Sequence, residues 1–223
     1  MTANQVAPIK ADVLIVGGGV IGLASAYELS RAGAKVVVID KFEPGYGCSY
    51  GNAGWITPCF AMPLPMPGML LKSFKWLLDP ESPLYIKPEL SATLISWLIR
   101  FMGSMTEKKM LASVDALTQI SIQSLRLYEE LSAKTDKPFS FEQKGLFMVA
   151  QSDDGLKYAR KEMELVSRNG IPGKLMLEDE ARAFEPALTK RIKGGVFFSQ
   201  EAHAEPLQVT QTLAHEAQKL GAV

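Results

Sequence analysis

The first strongly patterned stretch is the continuous apolar run Val13-Leu14-Ile15-Val16, which directly follows Asp12. It predicts a strand over Ala11 to Val16 that is buried on both faces, as in a parallel sheet. The period then changes: Val20, Leu23, Ala24 and Tyr27 recur at i, i+3, i+4 and i+7. That spacing is helical, and Arg31 followed by Gly33 supplies a last-turn cation and a left-handed stop. Lys35 to Asp40, with Val36-Val37-Val38-Ile39 at its centre, predicts a second strand. The whole unit has the length of the roughly 30-residue strand-helix-strand motif that binds dinucleotides.

From residue 58 the character shifts. Pro58, Pro63, Pro65, Pro67, Pro80, Pro83 and Pro88 break the chain before helical periodicity returns. Met110, Val114, Leu117, Ser121, Ser124, Tyr128 and Leu131 keep one stripe along the longest expected helix. Leu156, Ala159, Met163 and Val166 mark another that stops at Gly170. Both stripes read as core faces. Leu146 to Ala150 and Val196 to Ser199 predict short strands. Near the end, Pro206 suits a first helical turn, Leu213, Ala214, Ala217 and Leu220 form an apolar stripe, and Gly221 supplies the stop. A strand is expected after such a helix, but the sequence ends at Ala222-Val223.

The chemistry lies between the first strand and helix, where Gly17-Gly18-Gly19-Val20-Ile21-Gly22 fits G-x-G-x-x-G. Gly17 allows the tight turn, Gly19 the close approach of a pyrophosphate, and Gly22 the packing of helix on strand. The phosphates then sit at the positive end of the helix. Asp40 ends the second strand about 20 residues further on, where a carboxylate accepts hydrogen bonds from ribose hydroxyls and disfavours a 2'-phosphate. A glycine-rich structural turn in another α/β fold is the plain alternative. The following GYGCSYGNAG, residues 45 to 54, is a second loop of small residues. Its backbone N–H groups and the Ser49 hydroxyl suit the pyrophosphate or flavin end of a long cofactor, whereas an NAD domain normally proceeds to its next helix. A surface loop of turn formers is the alternative there, with Cys48 a bystander thiol. The expected architecture is α/β: a Rossmann-type domain with a parallel sheet (1–57), an inserted α+β substrate domain (58–200), and a helix returning to the first domain (201–223). The dinucleotide domain is expected to be incomplete at its C-terminus.

Composition narrows the partners. Lys plus Arg and Asp plus Glu are both 24 and the net charge is zero, so no field favours nucleic acid. Cys48 and Cys59 are the only cysteines, without metal-ligand or disulfide spacing, so no metal site is expected and a reducing compartment fits best. Lys10, the apolar run and Ala24-Ser25-Ala26 mimic a secretory signal. Asp12, the consecutive glycines and the amphipathic continuation argue against one. Val13 to Leu29 contains Glu28 and falls short of the roughly 20 apolar residues of a membrane span. Met69 to Leu78 and Leu94 to Met105 suit either buried packing or helices on a membrane surface. His203 reads as a solvent-exposed loop residue. No Ser-His-Asp set or carboxylate pair can be assembled, and no catalytic residue is assigned.

Taken with the following C-S-Y-G-N-A-G-W-I-T-P, the strand-GGGVIGLASAYELSRAG-strand-Asp pattern resembles the N-terminal part of the FAD-dependent D-amino acid oxidase superfamily, most of all its bacterial D-amino acid dehydrogenase branch. Weaker likeness continues at Gly145-Leu146-Phe147, Phe184-Glu185-Pro186, Gly194-Gly195-Val196 and His203-Ala204-Glu205-Pro206. The resemblance implies FAD, with Gly17, Gly19, Val20, Ile21 and Gly22 at the pyrophosphate and Asp40 and Lys41 at the adenosine ribose; no histidine lies near the second loop to be flavinylated, so the cofactor is expected to be held non-covalently. Ser49, Asn52, Ala53 and Gly54 would line the flavin side. It further implies oxidative deamination of a D-amino or imino acid by hydride transfer, and a quinone or carrier as electron acceptor. The expected location is the cytoplasm or the inner face of the cytoplasmic membrane, and the residues that hold the substrate carboxylate belong to a C-terminal segment outside this sequence. A glycine- or sarcosine-type oxidase using dioxygen, and a non-catalytic FAD-binding fragment needing a complementary chain, are the alternatives.

Overall fold

A computed structural model describes residues 9–67 and 91–223. The stretch Met69 to Leu78, expected either to pack in a core or to lie on a membrane surface, lies outside these residues. The elements run β1 (Val13–Val16), α1 (Val20–Arg31), β2 (Val36–Ile39), β3 (Trp55–Ile56), α2 (Ala92–Met102), α3 (Glu107–Lys134) and β4 (Leu146–Ala150). They continue as α4 (Asp153–Ser167), β5 (Gly173–Leu177), α5 (Glu178–Phe184), β6 (Gly194–Phe198), β7 (Ala202–His203) and α6 (Pro206–Lys219). The chain forms two compact units. The first combines Met1–Ile56, Leu125–Lys144 and Ala202–Val223; the second combines Thr57–Ser124 and Gly145–Glu201.

In the first unit β1 and β2 pair in parallel, from Val13 opposite Val36 to Val16 opposite Ile39. Ala26 of α1, Ala217 of α6 and Val36 are buried together, with Val13, Ile15 and Val38 packed against them. The small side chains of Ala26 and Ala217 let both helices lie close to the sheet. The apolar run of β1 is therefore covered on one face, not on both as its pattern predicts: Leu14 is 60% exposed and Val16 79%. Gly221, with φ +96°, turns the chain out of α6. The Val223 N–H then donates to the Val36 carbonyl at 3.0 Å, and its carbonyl accepts from Val38 N–H at 2.8 Å. Because β1 bonds β2 through Lys35 and Ile39, Val223 sits on the other edge of β2, as the first residue of a parallel neighbour would.

A second core in this unit gathers Leu23, Ile56, Leu125, Leu131, Phe139, Val209 and Leu213. It explains why Leu125–Lys144 groups here, although the sequence pattern runs the inserted domain unbroken from 58 to 200. His203 lies in β7, paired with Trp55 of β3, and not in a loop. Its imidazole is half-exposed, 3.5 Å from Glu142.

The second unit holds an antiparallel sheet in the order β4-β6-β5. Val196 and Phe198 of β6 are fully buried, against Val166 of α4. Gly195 is required by its neighbours, since a Cβ there would lie 2.3 Å from the Met148 carbonyl oxygen. Ser152 caps α4 by accepting from Gly155 N–H, and Asp153 and Asp154 complement the helix dipole. By contrast α2 buries none of its residues, and Ile95, Ile99 and Met102, spaced i, i+4, i+7, are exposed. No described helix is long and apolar enough to cross a membrane.

One buried polar contact in this unit has a measurable consequence. Glu201 is fully buried, and its Oε1 accepts from the Cys59 backbone N–H at 3.2 Å. Among the described residues Oε2 has no partner. Burial raises the carboxyl from 4.5 to about 7, and it also pushes up the Cys59 thiol, which the Glu201 charge raises further. The folded protein thus holds a proton that the unfolded chain releases near 4.5. Stability is expected to fall as pH rises from about 4.5 to about 7 and to level off above that. Full ionisation costs roughly 3 kcal/mol at most. Urea unfolding of Glu201→Gln across this range should show a shallower decline. Some slope remains from Glu162, whose carboxyl burial also raises. An unchanged pH dependence in the variant would exclude Glu201 as its source.

Candidate cofactor site

The first glycine loop is shaped by steric necessity. Gly17 has φ +113°, a conformation open chiefly to glycine. A Cβ on Gly22 would fall 2.0 Å from the Gly17 carbonyl oxygen and 3.3 Å from Ile15 Cγ2, so only glycine lets α1 start this close to β1. Gly19 is the N-cap of α1; it offers no side-chain cap, and no acidic residue occupies the first turn. No side chain of the N-cap or first turn of α1 thus competes for its positive end, an arrangement that can receive a phosphate. Ile21 is 82% exposed beside it.

Two side chains tie the neighbouring segments to this loop. Asp40, one residue past β2, accepts from Gly18 N–H through Oδ2 at 2.6 Å and from Phe42 N–H through Oδ1 at 2.9 Å. These bonds, that from Gly18 first, hold its carboxyl below the usual carboxylate range, so it is an ionised acceptor at neutral pH. Ser49 Oγ accepts from Val20 N–H at 3.0 Å, and Gly45 N–H donates to the Gly18 carbonyl at 2.8 Å. The loop of residues 45 to 54 is thereby bound against the first turn of α1. Gly54, with φ +68°, abuts the Ala204 carbonyl, which a Cβ would approach to 2.0 Å.

The other sequence-predicted residues stand less directly. The side-chain amide of Asn52 donates to the Ser49 carbonyl, and its oxygen accepts from Gly54 N–H, so this residue shapes the loop. Ala53 is exposed, and the Lys41 ammonium lies 4.9 Å from the centre of the Phe42 ring. A cavity of about 170 Å³ opens here, lined by Val20, Ser49, Asn52, Gly54, Tyr128 and Pro206 among others. Tyr128 comes from α3 and Pro206 from the start of α6. Helical periodicity marks Tyr128 only as part of a core stripe, and nothing local in the sequence signals that it reaches the glycine loops.

Residues 12–223 match the profile of the DAO family, FAD dependent oxidoreductase. The chain belongs to this family. It is 30% identical over 214 residues to D-amino acid dehydrogenase of Vibrio atlanticus, covering 94% of this chain and 51% of that protein. It is 33% identical over 185 residues to the D-amino acid dehydrogenase of Methylobacterium nodulans, covering 82% and 44%. The chain thus spans about half the length of the curated relatives it matches. Among solved structures, glycine oxidase from Geobacillus kaustophilus is similar with a TM-score of 0.67 at 21% identity, over 96% of this chain and 45% of that one. L-proline dehydrogenase from P. horikoshii is similar with a TM-score of 0.67 at 21% identity, over 96% and 43%. These structural likenesses identify an α/β fold with parallel and antiparallel sheets.

The residues present fit the family cofactor. The N-cap of α1 is a glycine without a side-chain cap of its own, the backbone beside it is glycine where a Cβ would intrude, and an ionised carboxylate stands at the end of β2. Two phosphates and a ribose diol call for this donor and acceptor set.

Proposed function

We propose that this chain is the N-terminal, cofactor-binding portion of an FAD-dependent oxidoreductase that oxidatively deaminates a D-amino or related imino acid. In this reading a Rossmann-type unit holds the pyrophosphate at Gly17, Gly19, Val20, Ile21 and Gly22. The adenosine ribose lies at Asp40 and Lys41, and the flavin side at Ser49, Asn52, Ala53 and Gly54. The observation that carries it is the joining of the two small-residue loops at the N-terminus of α1, through Ser49 Oγ on Val20 N–H and Asp40 on Gly18 N–H. Such an arrangement suits a ligand that continues past its pyrophosphate along the second loop. The D-amino acid preference is supported by the names of the relatives.

Bound flavin supplies the two-electron acceptor for hydride leaving the substrate Cα. The residues of this chain position the cofactor: glycine backbone admits the phosphates, and the Asp40 carboxylate takes the ribose hydroxyls while keeping the loop in place. Titration of the protein with FAD, followed by flavin fluorescence, tests this assignment. Asp40→Ala is expected to weaken FAD by about tenfold or more, since it removes a charged acceptor. Equal affinities in wild type and variant would remove Asp40 from the site. For the whole enzyme, bleaching of the flavin spectrum by D-amino acids under anaerobic conditions is the expected result. Rapid oxygen consumption during turnover would favour an oxidase instead.

A further inference from the structure

Tyr128 lies on α3, in a segment the family motifs do not reach, yet it lines the same cavity as Val20, Ser49, Asn52 and Gly54. Its ring packs on Phe139, with centroids 6.4 Å apart at an interplanar angle of 60°, which fixes the side chain without using its hydroxyl. Burial alone pushes the phenol up, with no hydrogen bond contributing, so it is a neutral donor at physiological pH. Tyr128 is thus a half-buried residue with a neutral phenol, lining the small cavity that Ser49 and Asn52 also line.

The cavity is about 170 Å³, well below the roughly 300–1,000 Å³ that enclose a drug-sized ligand. It therefore suits one portion of a dinucleotide. Asp40 is bonded at Gly18, before the N-cap of α1, and Ser49 at Val20, after it, so the two hold successive N–H groups along the loop where the phosphates would meet α1. With the adenosine ribose assigned to Asp40, the group on the Ser49 side is the other substituent of the pyrophosphate, which in FAD is a hydroxylated chain. Resting on the function proposed above, we infer that Tyr128 is a cofactor-contact residue whose phenol hydrogen-bonds the polyol linking the pyrophosphate to the flavin ring.

Tyr128→Phe keeps the ring on Phe139 and removes only the hydroxyl. The full chain and this variant are titrated with FAD and, separately, with ADP, and the thermal midpoint of each unliganded protein is measured. FAD is expected to bind the variant about three- to tenfold more weakly, the effect of one neutral hydrogen bond, with ADP affinity and thermal midpoint unchanged. Unchanged FAD affinity overturns the assignment. Equal weakening of FAD and ADP overturns it too, because the variant then merely loosens the domain. Wild-type protein that binds ADP but gains nothing from the flavin half refutes the Tyr128 contact and leaves the glycine-loop site standing. Failure to bind either ligand refutes the FAD reading, and Tyr128 with it.

Discussion

Gly19→Val is expected to abolish FAD binding, with an affinity loss of at least about 100-fold, whereas Gly47→Ala is expected to bind FAD as wild type does. The factor reflects lost phosphate contacts with charge-assisted hydrogen bonds, several of which fail together. A Cβ on Gly19 would already lie 3.1 Å from Ser49 Oγ, while a Cβ on Gly47 would meet nothing within 4 Å. Valine branches at that Cβ, so its methyls either displace the Ser49 hydroxyl from Val20 N–H or occupy the approach to the start of α1. Both outcomes spoil the same anion position. Gly22→Val is less informative, because its Cβ would overlap the Gly17 carbonyl and damage the helix-strand packing itself. Circular dichroism checks that Gly19→Val keeps its secondary structure. A variant that is folded and titrates with FAD within about twofold of wild type would show that the pyrophosphate lies elsewhere.

The parts of this site that were legible in the sequence are those encoded by neighbouring residues. Val13 to Val16, the helical spacing of Val20 to Tyr27 and the acid at Asp40 define a strand, helix and strand whose order places the loop. The helix stops were equally local: Gly33, Gly170 and Gly221 have φ of +90°, +86° and +96°. Contacts between remote segments left no such trace. Tyr128 and Leu131 follow the same stripe as Val114. Periodicity cannot tell that Val114 is buried in one unit and Leu131 in the other. Glu201 reads as an ordinary polar residue before a short strand, and only the folded chain brings it to Cys59. The covering of β1 on one face was illegible for a related reason: an apolar run records that both faces avoid water, and it does not name what covers each.

The exposed face of that sheet leads to the second large effect. Leu14, Val16 and Ile39 are 60%, 79% and 47% exposed, an apolar surface that soluble proteins rarely leave open to water. On the far edge of β2, among the described residues, Val223 alone takes up strand bonding, through the Val36 carbonyl and the Val38 N–H, and the rest of that edge is open to pairing. The D-amino acid dehydrogenases that match this chain are about twice as long as the part it covers. In the resemblance, the groups that hold the substrate carboxylate fall in their remaining portion. We therefore expect these 223 residues alone to be aggregation-prone, to bind FAD weakly, and to give no dye reduction with any member of a panel of D-amino acids. A chain continued to the length of the relatives should remain soluble, hold FAD tightly and reduce the dye. Comparing the two under identical FAD concentrations separates loss of cofactor from loss of the substrate site: saturating FAD should rescue flavin content in the shorter chain and leave it inactive. Turnover in the shorter chain equal to that of the longer one would show that the substrate site is complete within these residues.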